Sequence, residues 1–165
     1  MRFKYCPECG EKLILKEIGD EGEMPYCQNC VQPLFDMFAT CVIVLVVNED
    51  NRVLLLRQEY ISNHYYNLVS GYMKPGESAE QTAYREVLEE VGIKLENLNL
   101  AGTFWFDKKG ILMIGFIGTT KSEKLKLSCE VDSAEWFSLD EAITLVHPKE
   151  TGSVSYVLLE KYING

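Results

Sequence analysis

The sequence is poor in basic residues and histidine, and its longest apolar run, residues 41–47, is far too short to cross a bilayer. The first residues also lack the charged, apolar and small-residue pattern of a signal peptide, so we expect a cytoplasmic protein without a membrane partner. Sixteen basic and twenty-five acidic residues leave a formal net charge of -9, which disfavours non-specific binding to nucleic acid. An anionic substrate would therefore need a bound cation. His64 and His147 have no evident partners in the sequence, and we predict no catalytic role for either.

Four of the six cysteines form two C-x-x-C pairs, Cys6 with Cys9 and Cys27 with Cys30. Each pair lets two thiolates reach one ion, and Gly10 permits a tight turn after the first pair. We predict that residues 1–34 form a small zinc ribbon. Four thiolates fill a tetrahedral site, so the zinc would be structural and would replace the core that so short a segment cannot build. A redox dithiol and a catalytic zinc are the alternatives.

The rest of the chain, residues 35–165, has the pattern of one α/β domain with a mixed sheet and helices packed on its faces. The two helices after the central segment are expected to begin near Ser138 and at Val154. The predicted strands are residues 40–47, 53–56, 65–69, 98–106, 111–118 and 134–137.

A glycine-rich turn and a helix are predicted between Gly71 and Ile93. Ser78 and Gln81 make a capping box, and Gly92 suits the left-handed position that ends a helix. Along this helix three apolar residues recur every four positions and would face the sheet, whereas three glutamates share another face. The apolar residues are Ala83, Val87 and Val91, and the glutamates are Glu86, Glu89 and Glu90.

Carboxylates this close must be protonated or must hold a cation, and oxygen ligands suit Mg²⁺ or Mn²⁺. Arg85 precedes Glu89 by four residues and would hold one carboxylate in position. Taken alone, such a triplet more commonly means a solvated acidic helix face. The whole stretch settles the choice, because its defined positions resemble the Nudix box without a gap. These positions are Gly71, Glu77, Arg85, Glu86, Val87, Glu89, Glu90, Gly92 and Ile93.

The resemblance implies an α/β/α sandwich in which Glu86, Glu89 and Glu90, with the carbonyl of Gly71, bind Mg²⁺ or Mn²⁺. Arg85 and Glu77 would support these ligands, and in similar enzymes water then attacks a pyrophosphate. A zinc ribbon ahead of such a domain resembles the NADH pyrophosphatase group, whose similar enzymes are homodimers. Residues 102–116 and 130–137 align with that group, which makes Glu130 a candidate metal ligand or base, or else a surface carboxylate.

The departure from that group is at its Ser-Gln-Pro-Trp-Pro-Phe-Pro array, where this chain has residues 103–109 without proline. Phe104, Trp105 and Phe106 could stack on a base, but strand alternation sends at least one of them into the core. Arg57 and Lys74 are candidate phosphate contacts, although exposed basic residues usually only solvate the surface. The two lysines of the segment, Lys108 and Lys109, add positive charge that should bind phosphates with little regard for the second group, so we expect activity to extend beyond NADH.

The sequence thus predicts a metal-dependent Nudix hydrolase with a small-molecule substrate, a nucleoside diphosphate linked to another group. NADH, ADP-ribose, FAD and dinucleoside polyphosphates are examples. The alternative is a nucleotide sensor without hydrolytic activity, whose zinc ribbon would bind a partner. Loss of a motif glutamate would favour the sensor, and none is lost. Nucleic acid is not an expected partner, except for capped RNA ends.

Overall fold

The computed structural model describes residues 3–121 and 124–165. The chain divides after Phe38 into two compact units, the second being Ala39–Gly165. The predicted boundary, between residues 34 and 35, lies four residues before this division. Each unit is described by itself below.

The first unit is a three-stranded antiparallel sheet with the strands in sequence order. Among the described residues, its buried hydrophobic cluster is Cys6, Leu13 and Cys27. A core of three residues cannot offset the conformational entropy lost on ordering the unit, which therefore needs another source of stability. The strands are β1 (Ile14–Glu17), β2 (Glu23–Cys27) and β3 (Gln32–Pro33).

Each C-x-x-C turn of this unit ends with a residue in the left-handed backbone region. Gly10 follows Cys9 with φ of 75°, and Val31 follows Cys30 with φ of 55°. Glycine adopts this conformation freely, whereas a β-branched residue pays a steric penalty there. Val31 is also 71% exposed, so no burial of its side chain offsets the strain.

The second unit is built on a six-stranded mixed sheet. Its long central strand β4 runs parallel to β8 and antiparallel to β5 and β6, and the main strand order is β7-β8-β4-β5-β9. The strands are β4 (Ala39–Val47), β5 (Val53–Arg57), β6 (Val69–Tyr72), β7 (Asn97–Phe106), β8 (Ile111–Thr119) and β9 (Ser133–Phe137).

Helices cover both faces of this sheet because β4 alternates its side chains between two apolar clusters. Val42, Val44 and Val46 pack with helix α1 (Ala79–Val91) in one cluster. The odd-numbered residues of β4 pack with α2 (Leu139–Leu145) and α3 (Val154–Asn164) in the other. The predicted α/β sandwich with a mixed sheet is confirmed.

The predicted boundaries of α1 agree with the structure. Ser78 and Gln81 form both hydrogen bonds of the capping box, and Gly92 takes the left-handed conformation that ends the helix. The prediction of a strand at residues 65–69 was wrong. There, Tyr66 and Asn67 form only isolated bridges, and the strand itself is Val69–Tyr72, which pairs with β4. Among the described helices, none is both long and apolar enough to span a bilayer.

We predict that Val31→Gly stabilises the first unit by about 1 kcal/mol, because glycine relieves the left-handed strain at a modest entropic cost. Hydrogen exchange of the β2 amides reports on this unit alone and would measure the change. Val31→Ala is the matched control, since it shortens the exposed side chain but keeps the β-carbon. An equal gain from alanine would show that the backbone conformation is not the cause.

Candidate active site

A cleft of about 810 Å³ lies where the start of β4, strand β6 and helix α1 meet. Four glutamates line it, three from α1 and one from the loop before β9. The four are Glu86, Glu89, Glu90 and Glu130. The structure therefore brings together all four carboxylates that the sequence suggested.

Arg85 is the centre of the ion pairs in this cleft. Its guanidinium lies 2.7 Å from Glu77 Oε1, 2.6 Å from Glu86 Oε1 and 2.9 Å from Glu89 Oε2. It also donates to the carbonyl oxygen of Tyr72 at 3.2 Å. Hydrogen bonds from Arg85 lower the pKa of Glu77 to about 2, so this pair stays charged at neutral pH. Arg85 thus fixes two cleft carboxylates and the turn that precedes the helix.

Glu90 is the most buried of the four glutamates, with only 3% of its surface exposed. Its Oε1 accepts a hydrogen bond from Gln58 Nε2 at 3.2 Å, and within the described residues its Oε2 has no partner. Burial, and then the charge of Glu86, raise the pKa of Glu90 to about 8. A buried carboxylate oxygen without a partner costs free energy that a bound cation would recover.

Glu130 reaches the cleft because hydrogen bonds hold its loop in place both before and after this residue. Asp132 accepts a hydrogen bond from the backbone of Glu59 at 2.7 Å and donates its own backbone N–H to Arg57 at 2.9 Å. Before Glu130, the backbone N–H of Ser128 donates to the carbonyl oxygen of Glu90 at 3.0 Å. The charge of Glu130 in turn contributes to the raised pKa of Glu90, so the two carboxylates are neighbours.

Gly71 lies in β6 directly under Glu86. A β-carbon on Gly71 would come within 2.0 Å of the Glu86 carboxyl carbon, so only glycine leaves room for this carboxylate. Gly71, whose carbonyl oxygen is an expected metal ligand, thus lines the same cleft.

Two of the five predicted substrate contacts, Lys74 and Phe106, line the cleft. The other three do not. The Arg57 guanidinium lies over the Tyr66 ring at 4.0 Å and donates to the Asn63 carbonyl oxygen at 3.1 Å. Phe104 packs against the core on the α2 and α3 side. Trp105 is half exposed and lines a neighbouring groove of about 290 Å³ that also includes Phe106.

Several cleft residues were not among the predicted site residues. Gln58 does not line the cleft but contacts Glu90. It follows an apolar strand, and a polar residue at that point was the only sequence signal for this contact. His147, Thr151, Ser153 and Ser155 line the cleft from the segment around the start of α3. Lys108 and Lys109, the two lysines of the 103–109 segment that were expected to bind phosphates, line the cleft from the turn between β7 and β8.

The four cysteines of the first unit form a separate cluster, with their sulfurs all within 4.8 Å of one another. Cys9 Sγ lies 3.5 Å from Cys27 Sγ, and Cys6 Sγ lies 3.9 Å from Cys30 Sγ. A tetrahedral zinc site with bonds of about 2.3 Å separates its sulfurs by about 3.8 Å, so the cluster fits a zinc ion. Among the described residues, only these cysteines are gathered this tightly, and the glutamates are not.

Residues 37–160 match the NUDIX domain family model. The chain belongs to the Nudix family. The matched region includes the predicted motif and every strand of the second unit, and the family prediction is confirmed. The Nudix helix is α1, and it supplies three of the four cleft glutamates.

Curated relatives of this Nudix chain include the NAD-capped RNA hydrolase NudC of Pseudomonas syringae pv. syringae, which is 30% identical over 161 residues. These residues are 97% of this chain and 55% of that protein. The corresponding protein of Pseudomonas aeruginosa is 33% identical over 138 residues, which are 83% of this chain and 48% of the relative. The chain thus spans about half the length of the curated relatives it matches.

Among solved structures, a Nudix hydrolase from Nitrosomonas europaea has a TM-score of 0.70 to this chain. The likeness covers 99% of this chain and 94% of that one at 19% sequence identity. At this identity it supports the fold alone.

The burial of Glu90 in the Nudix cleft predicts an inverse relation between stability and pH. Its pKa in the fold, about 8, lies above its ordinary value of 4.5, so the folded state binds a proton that the unfolded state releases. The resulting stabilisation is complete below the unfolded pKa and is lost as pH rises through about 8. Without metal, we expect Glu90→Gln to stabilise the protein at pH 8 by about 1–3 kcal/mol and to flatten this pH dependence.

Denaturant unfolding of metal-free protein between pH 5 and 9 would measure the effect. Glu89→Gln is the matched control, because the Glu89 side chain is 54% exposed and its charge costs little to keep. An equal response of the two variants would exclude burial of Glu90 as the cause.

Proposed function

We propose that this chain is a divalent-metal-dependent hydrolase that cleaves the pyrophosphate of nucleoside diphosphate derivatives. The observation that carries the proposal is the convergence of four carboxylates in one cleft, one of them buried with an unpartnered oxygen. A solvated acidic helix face, the alternative reading of the motif, does not bury a carboxylate at 3% exposure. The proposal therefore rests on the environment of Glu90 as well as on the motif.

The donor set fits Mg²⁺ or Mn²⁺, which prefer carboxylate, carbonyl and water oxygens. Glu86, Glu89 and Glu90 would hold the ion, with the carbonyl of Gly71 beside them. When bound, the ion supplies a Lewis acid that polarises phosphoryl oxygens and activates water. Arg85 orients Glu86 and Glu89 through its ion pairs, so it acts as a positioning residue.

Glu130 is our candidate for a further ligand or for the base that accepts the proton of the attacking water. Its loop is anchored to β5 and to α1, yet its side chain is exposed. An exposed carboxylate beside the buried Glu90 can exchange protons with solvent.

The substrate class follows from the cleft and from the relatives. A volume of about 810 Å³ with both apolar and polar walls can accept a nucleotide with a second group attached. Relatives spanning this chain are named NAD-capped RNA hydrolase, so NAD-linked pyrophosphates are the first substrates to test. Phe106 is placed to contact a base, and Lys74 to contact phosphate.

We predict no turnover without an added divalent ion, and a fall in kcat of at least about a hundredfold in Glu89→Gln and Glu90→Gln. The charge of these carboxylates, not their shape, would hold the ion. The assay follows mononucleotide release from NADH, NAD, ADP-ribose, FAD, diadenosine polyphosphates and nucleoside triphosphates, with Mg²⁺ or Mn²⁺. Lys94→Gln serves as an exposed control outside the cleft.

Undiminished turnover in EDTA would contradict the mechanism. Nucleotide binding with no turnover on the whole panel would favour a sensor. A kcat/KM for NADH more than about a hundredfold above every other substrate would contradict the broad preference that the altered 103–109 segment suggests.

For the first unit we propose a structural zinc ion held by Cys6, Cys9, Cys27 and Cys30. The small core of that unit and the sulfur separations support it. Thiolates retained for metal suit a reducing compartment, so we keep the cytoplasm as the proposed location. We also propose a homodimer, on the resemblance to zinc-ribbon Nudix enzymes.

We expect one equivalent of zinc in protein purified without chelator. Elemental analysis measures it, and Cys9→Ser should lose the ion and destabilise the first unit. Cys41→Ser, which alters a cysteine outside the cluster, is the control for zinc content. Less than about half an equivalent in the unaltered protein would exclude the site.

A further inference from the structure

Three lysines line the same cleft as the four carboxylates, although acidic residues predominate in the chain. They are Lys74, Lys108 and Lys109. Within the described part of the chain, none of the three forms an ion pair, whereas the donors of Arg85 are taken up by three carboxylates and the Tyr72 carbonyl oxygen. Lysines that line a cleft and form no ion pair within the protein are available for an anionic ligand.

Lys109 and Lys108 have different surroundings in the cleft. Lys109 lines the cleft that contains the carboxylates but not the neighbouring groove. Burial, and then the charge of Lys108, lower the pKa of His147. His147 packs against Tyr65 with ring centroids 4.2 Å apart, in the segment before α3.

Lys108 also belongs to the neighbouring groove of about 290 Å³. The two cavities share Phe106, Lys108 and Thr151, so a ligand that passes Lys108 can continue from the cleft into the groove. The groove includes the half-exposed Trp105 ring and the acidic residues Asp107 and Glu150. Among the described residues that line the groove, Lys108 is the only positively charged one.

We propose that Lys108 binds a phosphate other than the two joined by the scissile bond, so that the preferred substrates are nucleoside diphosphate derivatives that carry a further phosphate. Lys109, which lines the cleft but not the groove, contacts the pyrophosphate itself and serves all substrates. This inference rests on the proposed hydrolase activity and adds a charge requirement to its substrate class.

The experiment compares kcat/KM within three substrate pairs that differ by phosphate. NADPH against NADH adds a phosphate on the ribose, diadenosine tetraphosphate against diadenosine diphosphate adds phosphates in the bridge, and a short NAD-capped RNA against NAD adds them along a strand. The variants are Lys108→Gln, Lys109→Gln, the conservative Lys108→Arg, and Lys94→Gln as an exposed control.

We expect the unaltered protein to prefer the phosphate-rich member of at least one pair, and that pair identifies the source of the phosphate. Lys108→Gln should lower kcat/KM for that member about tenfold, mainly through KM, and change the other member less than about twofold. Lys108→Arg should keep the preference, and rising salt should weaken it. Lys109→Gln should lower both members alike.

The proposal is overturned if no pair shows a preference, or if Lys108→Gln lowers both members equally. If no substrate is turned over, the proposed hydrolase activity fails. Calorimetric titration of the same pairs into the unaltered protein and Lys108→Gln then decides the binding role of Lys108 separately.

Discussion

The rest of the site depends on the burial of a carboxylate at Glu90. Helix α1 covers the sheet with Ala83, Val87 and Val91, and Glu90 directly precedes the last of these. Packing this apolar stripe into the core therefore carries an acidic side chain below the surface at the edge of the cleft. The same helical period that builds the hydrophobic core creates a site that is unfavourable without a cation.

Arg85 holds two of the other cleft carboxylates, Glu86 and Glu89, in place through ion pairs. It pairs with Glu77, Glu86 and Glu89 within 3 Å, and its bond to the Tyr72 carbonyl oxygen ties the helix to β6. A guanidinium with this many partners has no donor left for a substrate. In the proposed reaction, phosphate would be bound by groups that form no ion pair among the described residues, and the lysines of the cleft meet this requirement.

The sequence was most informative where the determinants are local. The capping box at Ser78, the glycine that ends α1 and the spacing of its glutamates all lie within one helix, and all are found as predicted. The contact between Gln58 and Glu90 joins residues 32 apart, and no local pattern specifies it. Arg57 illustrates the same limit, since its stacking on Tyr66 depends on how a loop folds back over β5.

Unsatisfied polar atoms show how stability and function are balanced in this domain. Among the described residues, the buried side-chain atoms without a hydrogen-bond partner are Gln58 Oε1, Asn67 Nδ2 and Glu90 Oε2. Asn67 and Glu90 line the cleft, and Gln58 donates to Glu90. Buried polar groups are normally paired, and random packing defects would be scattered through both faces of the sheet. Because two of these three residues line the cleft and the third contacts Glu90, the fold leaves hydrogen-bonding capacity unused around the cleft, where the proposed ion and substrate would supply the missing partners.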